Sequence, residues 1–477
     1  MEDHFRRIAF WAGLALAIAT GLGLSYGLGF EFTASVTAAV TVLCAVWWST
    51  EAIPIPVTSL VPFAVLPLAG VVGQDDVAAA YGNPFVLLFL AGFMLSRAAE
   101  KWDAHLRVAH GIMHVVGTNS PRRLVIGFML AVAFCSMWIS NTATALIMLP
   151  VAIAVLAERP DKRFGIALLL AVAYGSSIGG IATIIGTPPN GVFVGVYEQT
   201  TGRSVDFLSW MKLGLPVAVL LLVVCGVVLT WGLKPSTSTE LKPLGPWTSA
   251  QRRVLAVFAV VAMLWIFRAA PAGGWSSLSI FADADLSDAT VGFVGVLAMF
   301  LIPAGSREPA GPRQTLLDWE TARDIPWGIL LLFAGGILIA KAFGTSGLAE
   351  HVAAGFGHIA ALPPLVTVLL ICLVVTFLTE VTSNTATTTL LMPILAATAD
   401  GAGLEPSLLM IPAAMSASCA FMLPVATPPN AIVFAGTDRL TIPDMVRRGV
   451  VLNLLGAIVI ALCCYFLLDG ETGLLGK

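Results

Sequence analysis

WISNTATALIMLP at Trp138–Pro150 and EVTSNTATTTLLMP at Glu380–Pro393 decide how this chain folds. Each lies in the middle of a long apolar run, about 124–157 and about 364–398, and breaks it with Ser-Asn-Thr. A single span facing lipid would not keep those polar groups at its centre. A helical hairpin that enters from one side and turns back places them at its tip, inside the protein.

The rest of the chain sets the solvent around these runs. The 477 residues are 58% hydrophobic and 11% charged, with mean hydropathy +0.91. A water-soluble chain carries about 25% charged residues, so lipid surrounds this one. Further apolar segments fall near 8–29, 36–50, 56–72, 84–98, 164–185, 213–233, 253–268, 289–303, 327–343, 406–434 and 449–468. They lack the alternation of an outer-membrane barrel. The spacing predicts an all-α polytopic membrane protein of about 11 transmembrane helices plus two re-entrant helical hairpins. The seven cysteines sit mostly inside apolar runs without metal-ligand spacing. The composition points to no nucleic-acid partner.

Basic residues orient the chain. With the N-terminus inside, one side collects Arg6, Arg7, Lys101, Arg107, Arg122, Arg123, Arg159, Lys162, Arg163, Lys234, Lys242, Arg252, Arg253, Arg307, Arg313, Arg323, Arg439, Arg447 and Arg448. The other side keeps Arg203, Lys212, Arg268 and Lys477 beside Asp283, Asp285 and Asp288. The expectation is a multi-pass protein of a bacterial inner membrane, N-terminus cytoplasmic and C-terminus outside.

Three blocks recur in the same order. LLFLAGFMLSRA from Leu87 returns as LLFAGGILIAKA from Leu331, SNTAT from Ser140 returns from Ser383, and GTPPN from Gly186 returns as ATPPN from Ala426. Each copy holds an odd number of crossings, so the second is inverted relative to the first. The expected divisions are an N-terminal span at 1–35, a first repeat at 36–235 and a second at 250–470. The first repeat carries the cytoplasmic-side hairpin and a broken helix at 186–190. The second carries the outer-side hairpin and a broken helix at 426–430.

The motifs carry chemistry. Ser, Asn and Thr are N-cap residues, so each second hairpin arm presents unpaired backbone N–H groups and its positive dipole end at the break. An anion fits there without lysine or arginine. In each TPPN motif two prolines break the helix and free the carbonyls of Ile185, Gly186, Val425 and Ala426 as ligands for a hard cation. Two such tips facing one cavity favour a solute with two separated carboxylates, its charge compensated by bound cations. Glu380 beside the second tip reads as a buried hydrogen-bonding anchor, with a proton relay as the other reading. Arg97 and Lys341, at matched positions, read as side chains snorkelling to an interface. No Ser/His pair, Asp/Asp pair or HExxH motif lies in any span, which excludes the familiar intramembrane enzymes.

The paired SNT and TPPN motifs, WWSTEAIPIPVTSLVP from Trp47 and the LLFAGG block together resemble the divalent anion:sodium symporter family over almost the whole chain. The resemblance implies a homodimer with a scaffold domain and a transport domain that moves as an elevator. It implies a sodium-coupled symporter of C4 dicarboxylates of the succinate, malate and fumarate type, with Na+ as coupling ion. The first sodium site would use Ser136, Ser140, Asn141 and Gly186, and the second Thr379, Thr382, Asn384 and Ala426. The substrate would meet Ser140, Asn141, Thr142 and Thr187 from one repeat and Ser383, Asn384, Thr385, Thr427 and Pro428 from the other. Sulfate or citrate as cargo, sodium-independent exchange and an anion channel stay open on the sequence alone.

Overall fold

The computed structural model describes residues 2–157, 161–233, 244–269, 273–281, 284, 286–305, 314–355 and 362–468. Arg159, Lys234, Lys242, Arg307, Arg313, Lys477, Asp283 and Asp285, used in the orientation count, lie outside the described residues.

The regular elements among the described residues are all helices, with one isolated bridge between Pro303 and Thr315. The chain opens with α1 (Glu2–Leu22), which a π turn at Gly23–Gly27 extends, then α2 (Phe32–Thr50), α3 (Ile55–Thr58) and α4 (Val61–Leu68). A first series follows: α5 (Gln74–Tyr81), α6 (Pro84–Lys101), α7 (Ala104–Val116), α8 (Pro121–Ser136), α9 (Asn141–Ala157), α10 (Lys162–Ile181), α11 (Pro188–Thr201) and α12 (Phe207–Thr230). After α13 (Ser249–Ile266) and α14 (Asp288–Leu301) the same order returns. It runs α15 (Trp319–Ala322), α16 (Trp327–Thr345), α17 (Leu348–Gly355), α18 (Pro364–Leu378), α19 (Asn384–Ala402), α20 (Pro406–Ala417), α21 (Pro428–Ala435) and α22 (Ile442–Leu468).

Local chemistry sets the boundaries. Asn83 accepts from Phe85 N and Pro84 opens α6; Ser120 accepts from Arg123 N and Pro121 opens α8. Asp161, Asp206, Thr248 and Ser287 cap α10, α12, α13 and α14 in the same way. Each cap satisfies a backbone N–H that the first turn leaves open. By length and composition, eight helices among the described residues are long and apolar enough to cross a membrane. The shorter apolar helices include α9, α14, α18 and α20. The expected long runs at 124–157 and 364–398 are each divided, into α8 with α9 and α18 with α19.

The structure adds helices that the apolar-segment reading passed over. α7, α11 and α17 occupy stretches that read as connections, and α3 and α4 divide the segment read near 56–72.

Among the eight helices of membrane length the most enclosed is α10, buried at every residue from Phe164 to Ile181. It lies against α8 so closely that a Cβ on Gly179 would fall 2.2 Å from Ala133 O. Small residues at such a crossing let two backbones approach and pack through dispersion, the attraction that remains when lipid competes for apolar contact.

Loop contacts sort the two ends of the helices. Arg107 donates to Gly245 O and Pro246 O, Arg253 to Pro303 O and Arg439 to Leu156 O. Arg203 pairs with Glu405 and Arg268 with Asp288. Every one of these contacts joins segments that the sequence puts on the same side. α6 and α16 run antiparallel. Lys101 at the end of α6 pairs with Asp318 at the start of α15, while Lys341 near the end of α16 pairs with Asp76 on α5.

Candidate functional site

The two hairpin tips meet at one place. A cavity of about 1050 Å³ is lined by all nine residues expected to hold the substrate: Ser140, Asn141, Thr142, Thr187, Ser383, Asn384, Thr385, Thr427 and Pro428. Gly186, Thr382 and Ala426, expected as cation ligands, line it too. Ser136 and Thr379 stand behind the lining, each fully buried and joined to its tip asparagine.

Each tip is a helix start with open donors. The first intrahelical bonds run from Thr144 N to Ser140 O (3.0 Å) and from Thr387 N to Ser383 O (2.8 Å). The preceding N–H groups therefore have no partner in the helix. Ser140 Oγ takes one of them, Ala143 N, at 3.2 Å. Ser383 holds the N-cap position with extended backbone but makes no capping bond, so the second tip is the less self-satisfied of the two.

Behind each tip the same contact recurs across five residues. Ser136 Oγ lies 2.6 Å from Asn141 Oδ1, and Thr379 Oγ1 donates to Asn384 Oδ1 at 2.6 Å and to Ala417 O at 3.0 Å. The Asn141 amide end is ringed by oxygens: Ser136 Oγ at 2.6 Å, Ser176 O at 3.0 Å and Gly186 O at 3.2 Å. With its NH2 turned toward them, its two N–H groups are shared among the three oxygens. With Oδ1 turned toward them, four oxygens converge, which is the donor set of a hard cation. The NH2-inward orientation is the one the protein satisfies by itself; the Oδ1-inward one is the set that could hold a cation.

The broken helices are held open by a second asparagine pair. Asn190 Nδ2 reaches back to Gly180 O (3.0 Å) and Thr183 O (2.7 Å). Asn430 Nδ2 reaches back to Ala420 O (3.0 Å) and Leu423 O (3.0 Å). The spacing is ten and seven residues in both copies. Each side chain thereby ties the helix start after the prolines to the carbonyls of the segment before them. Thr427 caps α21 through Asn430 N at 3.3 Å, whereas Thr187 makes no such bond to α11.

Glu380 is an anchor. Oε1 accepts from Phe421 N (2.7 Å), Met422 N (2.9 Å) and Asn453 Nδ2 (2.7 Å), and Oε2 accepts from Leu423 N (3.0 Å). At 3% exposure it ties the second tip to the loop that leads into the second break. In the first copy the equivalent tie is neutral, from Thr183 Oγ1 to Met137 O at 2.5 Å. Arg97 and Lys341, expected to snorkel, each stand beside an acid, Glu100 at 2.6 Å and Asp76 at 3.6 Å. Ser177, buried and on the cavity lining, escaped the sequence reading. Its neighbours Ser176 and Ile178 give it no motif of its own.

A profile described as the sodium:sulfate symporter transmembrane region matches residues 11–467. The chain belongs to this family. It is a multi-pass membrane transporter, not an enzyme. Curated relatives include the sodium-dependent dicarboxylate transporter SdcS of Staphylococcus saprophyticus, 41% identical over 458 residues, covering 91% of this chain and 86% of the relative. The protein of the same description from Staphylococcus aureus is 38% identical with the same coverage. Two solved structures share the fold at low identity. The YdaH transporter of Alcanivorax borkumensis has a TM-score of 0.60 at 14% identity, over 84% of this chain and 89% of that one. MtrF of Neisseria gonorrhoeae has a TM-score of 0.58 at 12% identity, over 82% of each chain.

Proposed function

We propose that the protein is a sodium-coupled symporter of C4 dicarboxylates, working by alternating access to one central site. The observation that carries this is the single cavity on which both SNT tips and both TPPN breaks converge. Each tip offers backbone N–H groups to one carboxylate of the solute. Asn141 and Asn384, with the hydroxyl behind each and the carbonyls at Gly186 and Ala426, hold the two cations that balance the dianion in a low-dielectric site. The relatives described as sodium-dependent dicarboxylate transporters support both cargo and coupling ion. A compact tetrahedral anion such as sulfate, which the family's description brings in, leaves one tip's donors unused.

The recurring series α5–α12 and α15–α22, with α6 antiparallel to α16, supports the reading as inverted repeats at 36–235 and 250–470. On this reading the bodies carrying the hairpins slide as an elevator against the remaining helices of a homodimer. The cavity lining reaches Arg6, Glu51 and Asp324, all on the side that the basic-residue count makes cytoplasmic. The N-terminus is then inside, the C-terminus outside, and this conformation faces the cytoplasm of a bacterial inner membrane. Succinate uptake into proteoliposomes tests the reading, measured with and without a sodium gradient and against sulfate and citrate. Uptake that follows sodium and resists sulfate supports it. Equal uptake without sodium makes the protein an exchanger, and flux far above carrier turnover makes it a channel.

A further inference from the structure

The cavity is larger than a C4 dicarboxylate needs, at the top of the range of about 300–1,000 Å³ usual for small-molecule pockets. Beyond the motifs its lining continues to Arg97 near the end of α6 and out to Asp324. Arg97 is 34% exposed. One arm of its guanidinium is fixed on Glu100 at 2.6 Å, and the other stands 4.0 Å from the exposed carboxylate of Asp324, beyond hydrogen-bond reach. Lys341 is 35% exposed and lies 3.6 Å from Asp76. The two cations hold the same place in the repeated LLFLAGFMLSRA and LLFAGGILIAKA blocks. Because α6 and α16 run antiparallel, they stand at opposite ends of the helix pair, roughly 25 Å apart at 1.5 Å of rise per residue. Lys341 is absent from the lining of the open cavity.

We propose that Arg97 and Lys341 are matched vestibule cations, each a transient docking point for one carboxylate of the solute on its own side of the membrane. Arg97 serves the face to which the cavity is open here, and Lys341 serves the other face when access reverses. The proposal rests on the reading of the protein as an alternating-access carrier of dianions. The central site holds anions with helix ends alone, so nothing cationic there reaches out into water. The open mouth carries Glu51, Glu100 and Asp324, which repel a dianion. A cation with one loosely held acid partner offsets that repulsion and exchanges the partner for substrate without breaking a formed hydrogen bond. Charge at such a mouth acts on capture rate and is screened by salt. Arg6, the other cation on the lining, belongs to α1, outside the recurring series, and has no matched position.

The test uses the full-length protein in liposomes of sorted orientation, with initial sodium-driven succinate flux measured from each side at low and high salt. Arg97→Gln raises the half-saturating succinate concentration about tenfold at low salt, on the open-cavity side only. Lys341→Gln does so on the opposite side only. Arg97→Lys and Lys341→Arg restore wild-type values, and high salt removes the differences. Asp324→Asn frees the Arg97 arm and lowers half-saturation on the Arg97 side, which keeps the proposal testable if Arg97→Gln does not fold. Equal effects on both sides, no effect, or failure of the charge-keeping variants to restore capture overturns the proposal while sodium-coupled succinate transport by the wild type stands. A wild type that moves no succinate with sodium overturns the functional reading instead, and this proposal with it.

Discussion

Asn453 Nδ2 donates to Glu380 Oε1 at 2.7 Å, and both side chains are buried. The bond joins α22 to the second hairpin tip. With the three backbone N–H groups of Phe421, Met422 and Leu423 it leaves the carboxylate with four donors. Glu380→Gln preserves the shape but turns an NH2 toward one of those donors. A buried donor left unsatisfied costs about 1–3 kcal/mol, and more where the lost partner was charged. The variant should melt below the wild type and transport more slowly, with the pH profile of uptake unchanged. A proton relay requires the reverse, a normal melt with an altered pH profile.

Asn141→Ala and Asn384→Ala should each abolish sodium-dependent uptake. Ser136→Ala and Thr379→Ala, which remove the hydroxyls 2.6 Å behind them, should keep uptake and raise the sodium requirement several-fold. Sodium protection against thermal unfolding reads the cation sites directly. A ligand at 100 times its Kd stabilises by about 2.7 kcal/mol, and that protection should shrink in all four variants. Wild-type sodium protection in Asn141→Ala would remove the first cation site from the account.

Polar triplets and paired prolines inside apolar runs are conspicuous because lipid forbids them elsewhere. The tips and breaks were therefore legible, and the nine residues expected to hold the substrate all line the shared cavity, while Ser177 beside them was not legible. Helices of the other kind were not. α7, AHLRVAHGIMHVV, carries Arg107 and three histidines between Lys101 and Arg122, so it reads as a basic loop. α11, PPNGVFVGVYEQTT, follows two prolines and carries Gly191 and Gly195, so its burial comes only from packing. The partners of Glu380 lie 41 to 73 residues along the chain, and no local pattern announces them. The ring of oxygens around Asn141 includes Ser176 O, a backbone atom that has no sequence signature at all.

The two breaks differ at one residue, and the difference is testable. A Cβ on Gly186 would fall 2.5 Å from Gly180 O, whereas the matched position of the second copy is already Ala426. Backbone cannot yield as a flexible side chain does, and overpacking of this kind costs about 1–3 kcal/mol. Gly186→Ala should displace its own carbonyl from Asn141 and abolish sodium-dependent uptake, while Ala426→Gly should leave uptake within about twofold, since it removes one buried methyl, worth about 0.8 kcal/mol, from the 3-10 turn Pro424–Ala426 and adds nothing to clash. Comparable activity in the two variants would mean that the carbonyl at Gly186 is not used.

Asp318 offers a pH signature away from the transport path. Its side chain pairs with Lys101 and accepts from Thr321 N at 2.8 Å, capping α15. Those two contacts, Lys101 foremost, hold the carboxyl down at about 2 against an ordinary 3.8. A depressed folded-state value means the ionised form is favoured by folding, so the contribution is complete above about pH 4 and fades as pH falls toward about 2. The side chain is 48% exposed, so water and salt screen the pair and its worth stays below about 1 kcal/mol. Asp318→Asn keeps a capping oxygen and removes only the charge. It should therefore melt slightly below the wild type at neutral pH, converge with it through the acid range, and lose the difference in high salt. Asp318→Ala removes the cap as well and should melt lower still, by about a further 1 kcal/mol, at every pH. A gap between wild type and Asp318→Asn that widens on acidification would mean that the carboxylate is repelled, not held, where α6 meets α15.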